Sequence, residues 1–246
     1  MTYALSELKI QQSFKLNTLV KVFAGFLTVI VQYFVWQTID IKMSEQYFEY
    51  TLLAVLLSMI TPTQNIAQVL SRYIRKGNIT SLLVRPVYLG HTILGIGLGK
   101  MIYATLFQVT PLLALSFLLF GSEIGFSFGS PIILIISFGL SWTIAYFFGF
   151  LIGISSILTT RVSGLLSLWL GLSTIFGGAV IPLNVYPGWL RHISELTPFY
   201  SIFYAPLSLV SGVGTSSIKN ILLSQLFWAL LIGLVNLYVS KKCLKG

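Results

Sequence analysis

Six apolar runs, each about as long as a membrane-crossing helix, constrain this chain more than any other feature. A helix rises ~1.5 Å per residue, so roughly 20 apolar residues are needed to cross a hydrocarbon core of ~30 Å. The runs fall at Leu19 to Ile39, Tyr50 to Leu70, Met101 to Phe120, Pro131 to Leu158, Val162 to Ile181 and Ile218 to Ser240. They predict an all-α membrane protein with six transmembrane helices in a single transmembrane domain over residues 1–246. Composition supports this, since only 9% of residues are charged and mean hydropathy is +0.90, whereas soluble domains carry about 25% charged residues.

The net charge of +9 does not indicate nucleic-acid binding, because the basic residues are concentrated between the apolar runs. One set of connecting segments holds Lys9, Lys15, Arg72, Arg75, Lys76, Arg85, Arg161, Lys241, Lys242 and Lys245 against the single acid Glu7. The opposite set holds Lys42, Arg191 and Lys219 against Asp40, Glu45, Glu49, Glu123 and Glu195. The positive-inside rule then places both termini in the cytoplasm. Lys21 and Lys100 lie at the inner ends of runs, where a lysine stem can stay in lipid while its ammonium reaches the headgroups. A cavity-facing Lys100 is the alternative.

The fourth and fifth runs are separated only by Thr159, Thr160 and Arg161, which predicts a tight helical hairpin. Gly149 and Gly153 are spaced for close helix packing. Residues 1–18 alternate Leu5, Leu8, Phe14 and Leu16 with Glu7, Lys9 and Lys15, a pattern suited to an interfacial helix on the inner leaflet. Met1 to Lys21 has no early apolar run followed by a small-residue cleavage site, so no removable signal peptide is expected. The one cysteine, Cys243, rules out an internal disulfide framework and does not stand in a prenylation box.

Two connecting regions carry the candidate functional residues. Ser71 to Pro86 holds Arg72, Arg75, Lys76 and Arg85 with no acid, and interleaves them with Ile74, Ile79, Leu82 and Leu83. An apolar anchor inside a charged rim suits docking to a cytoplasmic partner; enforcing orientation is the competing reading. Gly77 allows a bend before the apolar turn, and Pro86 discourages one helix from running unbroken into the third span. Residues 182–217 are divided by Pro182, Pro187, Pro198 and Pro206 into pieces too short to cross, with Trp189, Phe199, Tyr200, Phe203 and Tyr204 suited to an interface. Short re-entrant or interfacial helices on the external side are expected, one of them over Pro187 to Leu196 with Arg191 facing Glu195.

Catalytic chemistry finds little support. An intramembrane enzyme needs nucleophile, base or metal ligands inside the bilayer. His91 and His192 fall on opposite sides in this topology. HExxH, GxSxG and the GxxxxGK[ST] phosphate loop are absent, so the chain is expected to be no enzyme and to hold no cofactor or metal. Ser163 and Gly164 fit small-residue packing better than catalysis. Ion-coupled transport leaves ionisable groups at mid-depth, and none is evident, although Gln32, Gln108 and Asn236 are polar residues within spans.

This layout resembles the membrane subunit of an ABC-2 type exporter across essentially the whole chain. The resemblance is strongest in Tyr73 to Val87, with a Gly after basic residues, an apolar helical turn and then Arg-Pro. It is supported by Ile181 to Pro206, which is similar to the family's external segment with its P-x-W-L and later Pro-Phe. The resemblance implies that residues 71–90 form a coupling loop in a groove of a separate cytoplasmic ABC ATPase, which binds ATP-Mg. The docking residues would be Arg72, Tyr73, Ile74, Arg75, Lys76, Gly77, Asn78, Ile79, Leu82, Leu83 and Arg85. A second permease, identical or homologous, would complete the path through the lipid of a bacterial inner membrane. ATP-driven closure would shift the bundle between conformations by alternating access. Pro187, Trp189, Leu190, Pro198 and Phe199 would gate the outer mouth. No importer-type EAA loop is present, which favours export, with an amphiphilic drug (antibiotics included), lipid or hydrophobic peptide as cargo. A membrane scaffold or sensor recruiting a cytoplasmic protein through the same loop, or an ion-coupled secondary transporter, is the alternative.

Overall fold

The computed structural model describes residues 15–39, 44–75, 89–121, 130–159, 161–212 and 217–245, and every regular element among them is helical. Five helical stretches are long and apolar enough to cross a membrane: Leu16–Thr38, Glu45–Arg75, Gly90–Phe120, Pro131–Ile157 and Ile218–Lys242. The first corresponds to α1 (Lys15–Ile39). The expected interfacial helix over residues 1–18 lies almost wholly outside the described residues.

The second run is not one helix, as Tyr50 to Leu70 suggested, but α2 (Ser44–Ile60) and α3 (Thr63–Arg75). Pro62 carries no N–H and interrupts the helical ladder. The Thr61 amide and hydroxyl both donate to the Leu57 carbonyl, at 3.0 and 2.8 Å, closing α2 just before the break.

The third stretch begins at Leu89 rather than Met101, because the segment with His91 and Lys100 is helical despite its lower hydropathy. It comprises α4 (Leu89–Ala104), a π-helical turn (Thr105–Val109) and α5 (Thr110–Phe120). Pro111 sits in the first turn of α5, and the π turn takes up the register change; the Thr110 hydroxyl donates five residues back to the Thr105 carbonyl at 2.8 Å.

Central to the bundle is α6 (Pro131–Ile154), which packs along α3 on one side and α11 (Ile218–Lys245) on the other. Lipid tails are as apolar as the side chains, so close backbone approach and hydrogen bonds decide such contacts. Gly149 and Gly153 permit the approach: a Cβ on Gly149 would lie 2.7 Å from the Thr63 carbonyl oxygen, and one on Gly153 would lie 2.8 Å from Leu70 Cβ. The Thr63 hydroxyl donates to the Ala145 carbonyl at 2.8 Å. Below it Ile66, Val69 and Leu70 meet Ile93, Tyr146, Phe150 and Ile154. A second layer packs α1 on α2 and α5, with Val29, Phe48, Leu52, Leu56 and Leu112 at its centre.

The Val162 to Ile181 run yields only α7 (Ser163–Phe176), whose 14 residues rise ~21 Å and fall short of a full crossing. It ends at Gly177 and Gly178; the latter has φ +66°, a left-handed conformation that a Cβ disfavours. The connection from α6 is short, as the sequence suggested. Yet α7 finds its packing partners in α8 (Gly188–Glu195) and α9 (Pro198–Ile202) instead of forming a simple hairpin pair with α6. After α9 comes α10 (Tyr204–Ser211), and residues 199–208 are all buried. This segment is a wedge, with α9 against α6, α7 and α11 and α10 against α2 and α6.

Candidate functional site

At one end of the bundle α3 terminates in Arg72 and Arg75, both exposed, where cations complement the partial negative charge of the last carbonyls. The Arg72 Nε donates to the Gln68 carbonyl at 3.3 Å. Tyr73 and Ile74 are half-buried and pack onto the Ile66 to Ile154 cluster. Ile74, counted above as part of a partner-facing anchor, thus also fixes the end of α3 to the bundle. The helix α3 packs on α4, with Ile66, Val69 and Leu70 in one cluster with Ile93 and Ile96. Lys76, Gly77, Asn78, Ile79, Leu82, Leu83 and Arg85 lie outside the described residues.

In the proline-divided region α8 starts on Pro187, which serves as its N-cap with extended backbone. Arg191 Nε donates to Glu195 Oε1 at 2.9 Å, the four-residue pairing expected from the sequence. That hydrogen bond raises the Arg191 pKa above its ordinary value. Burial does the same for Tyr186 nearby. His192 is exposed, with Nδ1 3.9 Å from Glu195 Oε2.

The five residues expected to form a gate do not form one cluster. Pro187 and Trp189 are exposed, Leu190 and Pro198 are half-buried, and Phe199 is buried with its ring stacked on Phe148 of α6 at 5.7 Å. A short corner links the two groups: the Thr197 amide and hydroxyl both donate to the Ser194 carbonyl, at 2.9 and 2.8 Å, immediately before Pro198 starts α9.

A polar clamp beneath this corner was not anticipated from the sequence. Gln225 of α11 is fully buried; its Nε2 donates to the carbonyls of Ser137 at 3.1 Å and Ser201 at 3.0 Å. The Ser137 hydroxyl donates to Gln225 Oε1 at 2.9 Å, and the hydroxyls of Ser201 and Ser224 are 3.0 Å apart. The Ser141 hydroxyl donates to the Ile202 carbonyl. One amide side chain therefore joins α6, α9 and α11. The available signal was a glutamine inside an apolar run, which demands buried partners. Asn236 behaves similarly, donating from Nδ2 to the Phe147 carbonyl at 3.2 Å.

Opposite the clamp, the Tyr50 hydroxyl donates to the Gly178 carbonyl at 2.7 Å and holds the turn after α7 against α2. The rings of Tyr50 and Tyr200 each meet that of Tyr204 in a tilted contact, with centroid separations of 5.9 and 5.4 Å. Among the described residues no group of three or more His, Cys, Asp or Glu side chains could hold a metal ion. The arrangement connects the basic end of α3, through α6, to the segment of α8 to α10.

The sequence model of one family, described as ABC-2 type transporter, matches residues 6–211. That span includes α1 to α10, and with them both candidate regions. No curated protein matches the chain.

Proposed function

The chain belongs to the ABC-2 type transporter family, and on that premise we propose that it is the permease subunit of an ATP-binding-cassette exporter. A separate cytoplasmic ATPase binds ATP-Mg and docks on residues 71–90, while a second permease, identical or homologous, completes the path. The cargo is amphiphilic and moves outward: a drug, a lipid or a hydrophobic peptide. In this reading α7 together with residues 177–187 makes the fifth of six crossings, α8 to α10 dip back from the external face, and both termini lie on the cytoplasmic side of a bacterial inner membrane.

The observation that carries the reading is the continuous packed route between the two candidate regions. The basic end of α3 continues into a helix packed backbone to backbone on α6 at Gly149 and Gly153. Further along, α6 is bonded through Ser137 and Ser141 to α11 and α9. A partner that engages Arg72 and Arg75 differently in two nucleotide states biases the position of α3, and the packed route passes that bias to the external wedge.

The test is to extract the tagged chain gently from its membrane and identify what co-purifies, with and without the combined Arg75→Ala, Lys76→Ala and Ile79→Ala changes. Recovery of a P-loop ATPase that is lost in the variant is expected. Absence of any ATPase, under conditions that keep other membrane complexes whole, favours a scaffold or an ion-coupled carrier instead. Normal ATP-dependent export by the variant removes the loop from the mechanism.

A further inference from the structure

One flank of α3 is polar and exposed. Gln64, Gln68 and Arg72 follow one another along it at four-residue spacing, while Ile66, Val69 and Leu70 bury the opposite flank against α4 and α6. The side-chain amides of Gln64 and Gln68 make no hydrogen bond to another described residue. Beside that flank, Ala67 meets Val162 and Leu166 of α7. The residues that follow these two, Ser163 and Ser167, are both exposed and share a flank of α7. Because α3 runs into this end of the bundle and α7 runs out of it, the right-handed sense of both helices turns the two polar flanks to the same side.

Lipid does not suit such a face. Thr63, beside Gln64, touches Gly149, which lies ~12 Å inside the Ile157 end of the crossing stretch Pro131–Ile157. Gln64 therefore comes at acyl-chain depth, where an amide turned to lipid leaves its hydrogen-bonding groups unsatisfied. Elsewhere the exposed surface obeys this rule, as on α11, where Leu223, Leu226, Leu230 and Leu234 face outward. Charge gives the polar face a sign. Arg72 stands at its open end, and the carboxylates among the described residues, Glu45, Glu49 and Glu195, lie in the first turns of α2 or on α8. Amide and hydroxyl donors in a row, with a guanidinium at the mouth and no carboxylate alongside, suit an oxyanion. Leu170, on the same flank of α7 as Ser163, is 52% exposed and offers apolar surface next to the donors.

We propose that this face of α3 and α7 holds the head of the cargo, and that the cargo is an anionic amphiphile. Its oxygens accept from Gln64, Gln68, Ser163 and Ser167, with Arg72 drawing them in, while its tail lies against Leu170 and the surrounding acyl chains. Water covers the face when no cargo is bound. A cationic head meets repulsion from Arg72 and finds no carboxylate to pair with, so the site selects by the sign of the charge. This deepens the exporter reading and rests on it for transport, narrowing the cargo from amphiphiles in general to those with an anionic head.

The test uses the full chain with Cys243→Ser, which removes its one cysteine. Single cysteines are introduced as Gln64→Cys, Gln68→Cys and, as a lipid-facing control, Leu230→Cys on α11, and each variant is reconstituted in phosphatidylcholine vesicles. A small water-soluble maleimide is supplied on both sides of the membrane, and labelling rates are read with dodecyl phosphate, dodecyltrimethylammonium or inorganic phosphate present. Labelling at 64 and 68 is expected to be several-fold faster than at 230, and to be slowed several-fold by dodecyl phosphate but not by dodecyltrimethylammonium. Adding Arg72→Gln is expected to weaken that protection. Labelling at 64 as slow as at 230 overturns the proposal, and disulfide crosslinking of two copies through Gln64→Cys would then assign the face to a second copy. Equal protection by the cationic amphiphile overturns the anionic head, and equal potency of inorganic phosphate overturns the amphiphile. Monodisperse elution of each variant establishes that the rates come from folded chains. No ATPase takes part in the labelling, so failure of the exporter reading, seen as the absence of a co-purifying ATPase, is distinguishable from failure of this assignment.

Discussion

Gln225 and Ser137 are joined twice, the serine hydroxyl donating to the amide oxygen at 2.9 Å and the amide nitrogen donating to the serine carbonyl at 3.1 Å. Such reciprocity fixes the rotamer of Gln225 and aims its second N–H at the Ser201 carbonyl. The short helix α9 has five residues and little packing surface of its own. Its position in the bundle therefore depends on bonds from longer neighbours as much as on ring contacts such as Phe199 with Phe148.

Replacing Gln225 by Leu is expected to lower stability by about 1–2 kcal/mol, because intrahelical alternatives recover only part of a buried polar contact in a membrane protein. Thermal unfolding in mild detergent checks this. A second readout is local: protease or thiol-reagent access at residues 199–203 should rise in the variant. Unchanged access would mean that ring packing alone holds α9.

Gly149→Ala is expected to be destabilising by about 1–3 kcal/mol, since overpacking a tight contact displaces backbone. The new Cβ would lie 2.7 Å from the Thr63 carbonyl oxygen, and α3 cannot yield there without losing the Thr63 to Ala145 bond. Gly171→Ala is the matched control, because a Cβ there meets nothing within 4 Å. Equal melting temperatures for the two variants would refute the close-contact account.

Particular residues show what the sequence could and could not reveal. Five of the six apolar runs correspond to stretches long and apolar enough to cross, because length and hydropathy are local properties; the Val162 to Ile181 run yields only the 14 residues of α7. Gly149 and Gly153 were legible as a close-packing face, and Arg191 with Glu195 as a helical pair. The break at Pro62 follows from its missing N–H, whereas the extension back to Leu89 was not legible, because packing on α3 supports helix where hydropathy weakens. The clamp at Gln225 was hidden for a different reason: its partners Ser137 and Ser201 are 88 and 24 residues away, and nothing in local spacing identifies them. The proline pattern did separate the Pro187 to Leu196 piece from the one begun by Pro198; the burial of Phe199 against Phe148 was not legible, because that partner lies on α6.

Tyr50→Phe should cost about 1 kcal/mol through loss of its bond to the Gly178 carbonyl. Gly178→Ala should cost more, because φ is +66° there and a Cβ would lie 3.0 Å from the Tyr50 hydroxyl. Combining the two changes separates the causes. Relief of the hydroxyl clash makes the double variant less destabilised than the sum, whereas strict additivity would assign the whole alanine effect to backbone conformation.

The Arg191–Glu195 pair is expected to couple by about 0.5–1 kcal/mol, since both side chains retain solvent contact and screening limits their attraction. Each is about a quarter to a third exposed, at 26 and 30%. A double-mutant cycle with Arg191→Met and Glu195→Gln measures the coupling directly, through unfolding of the chain reconstituted in vesicles. Either single change leaves one partner without its counter-charge, so the double variant should be less destabilised than the sum of the two singles. If the double variant is as destabilised as the sum of the singles, the two charges act independently and the inward face of α8 is held by Ser194 and Leu190 contacts instead.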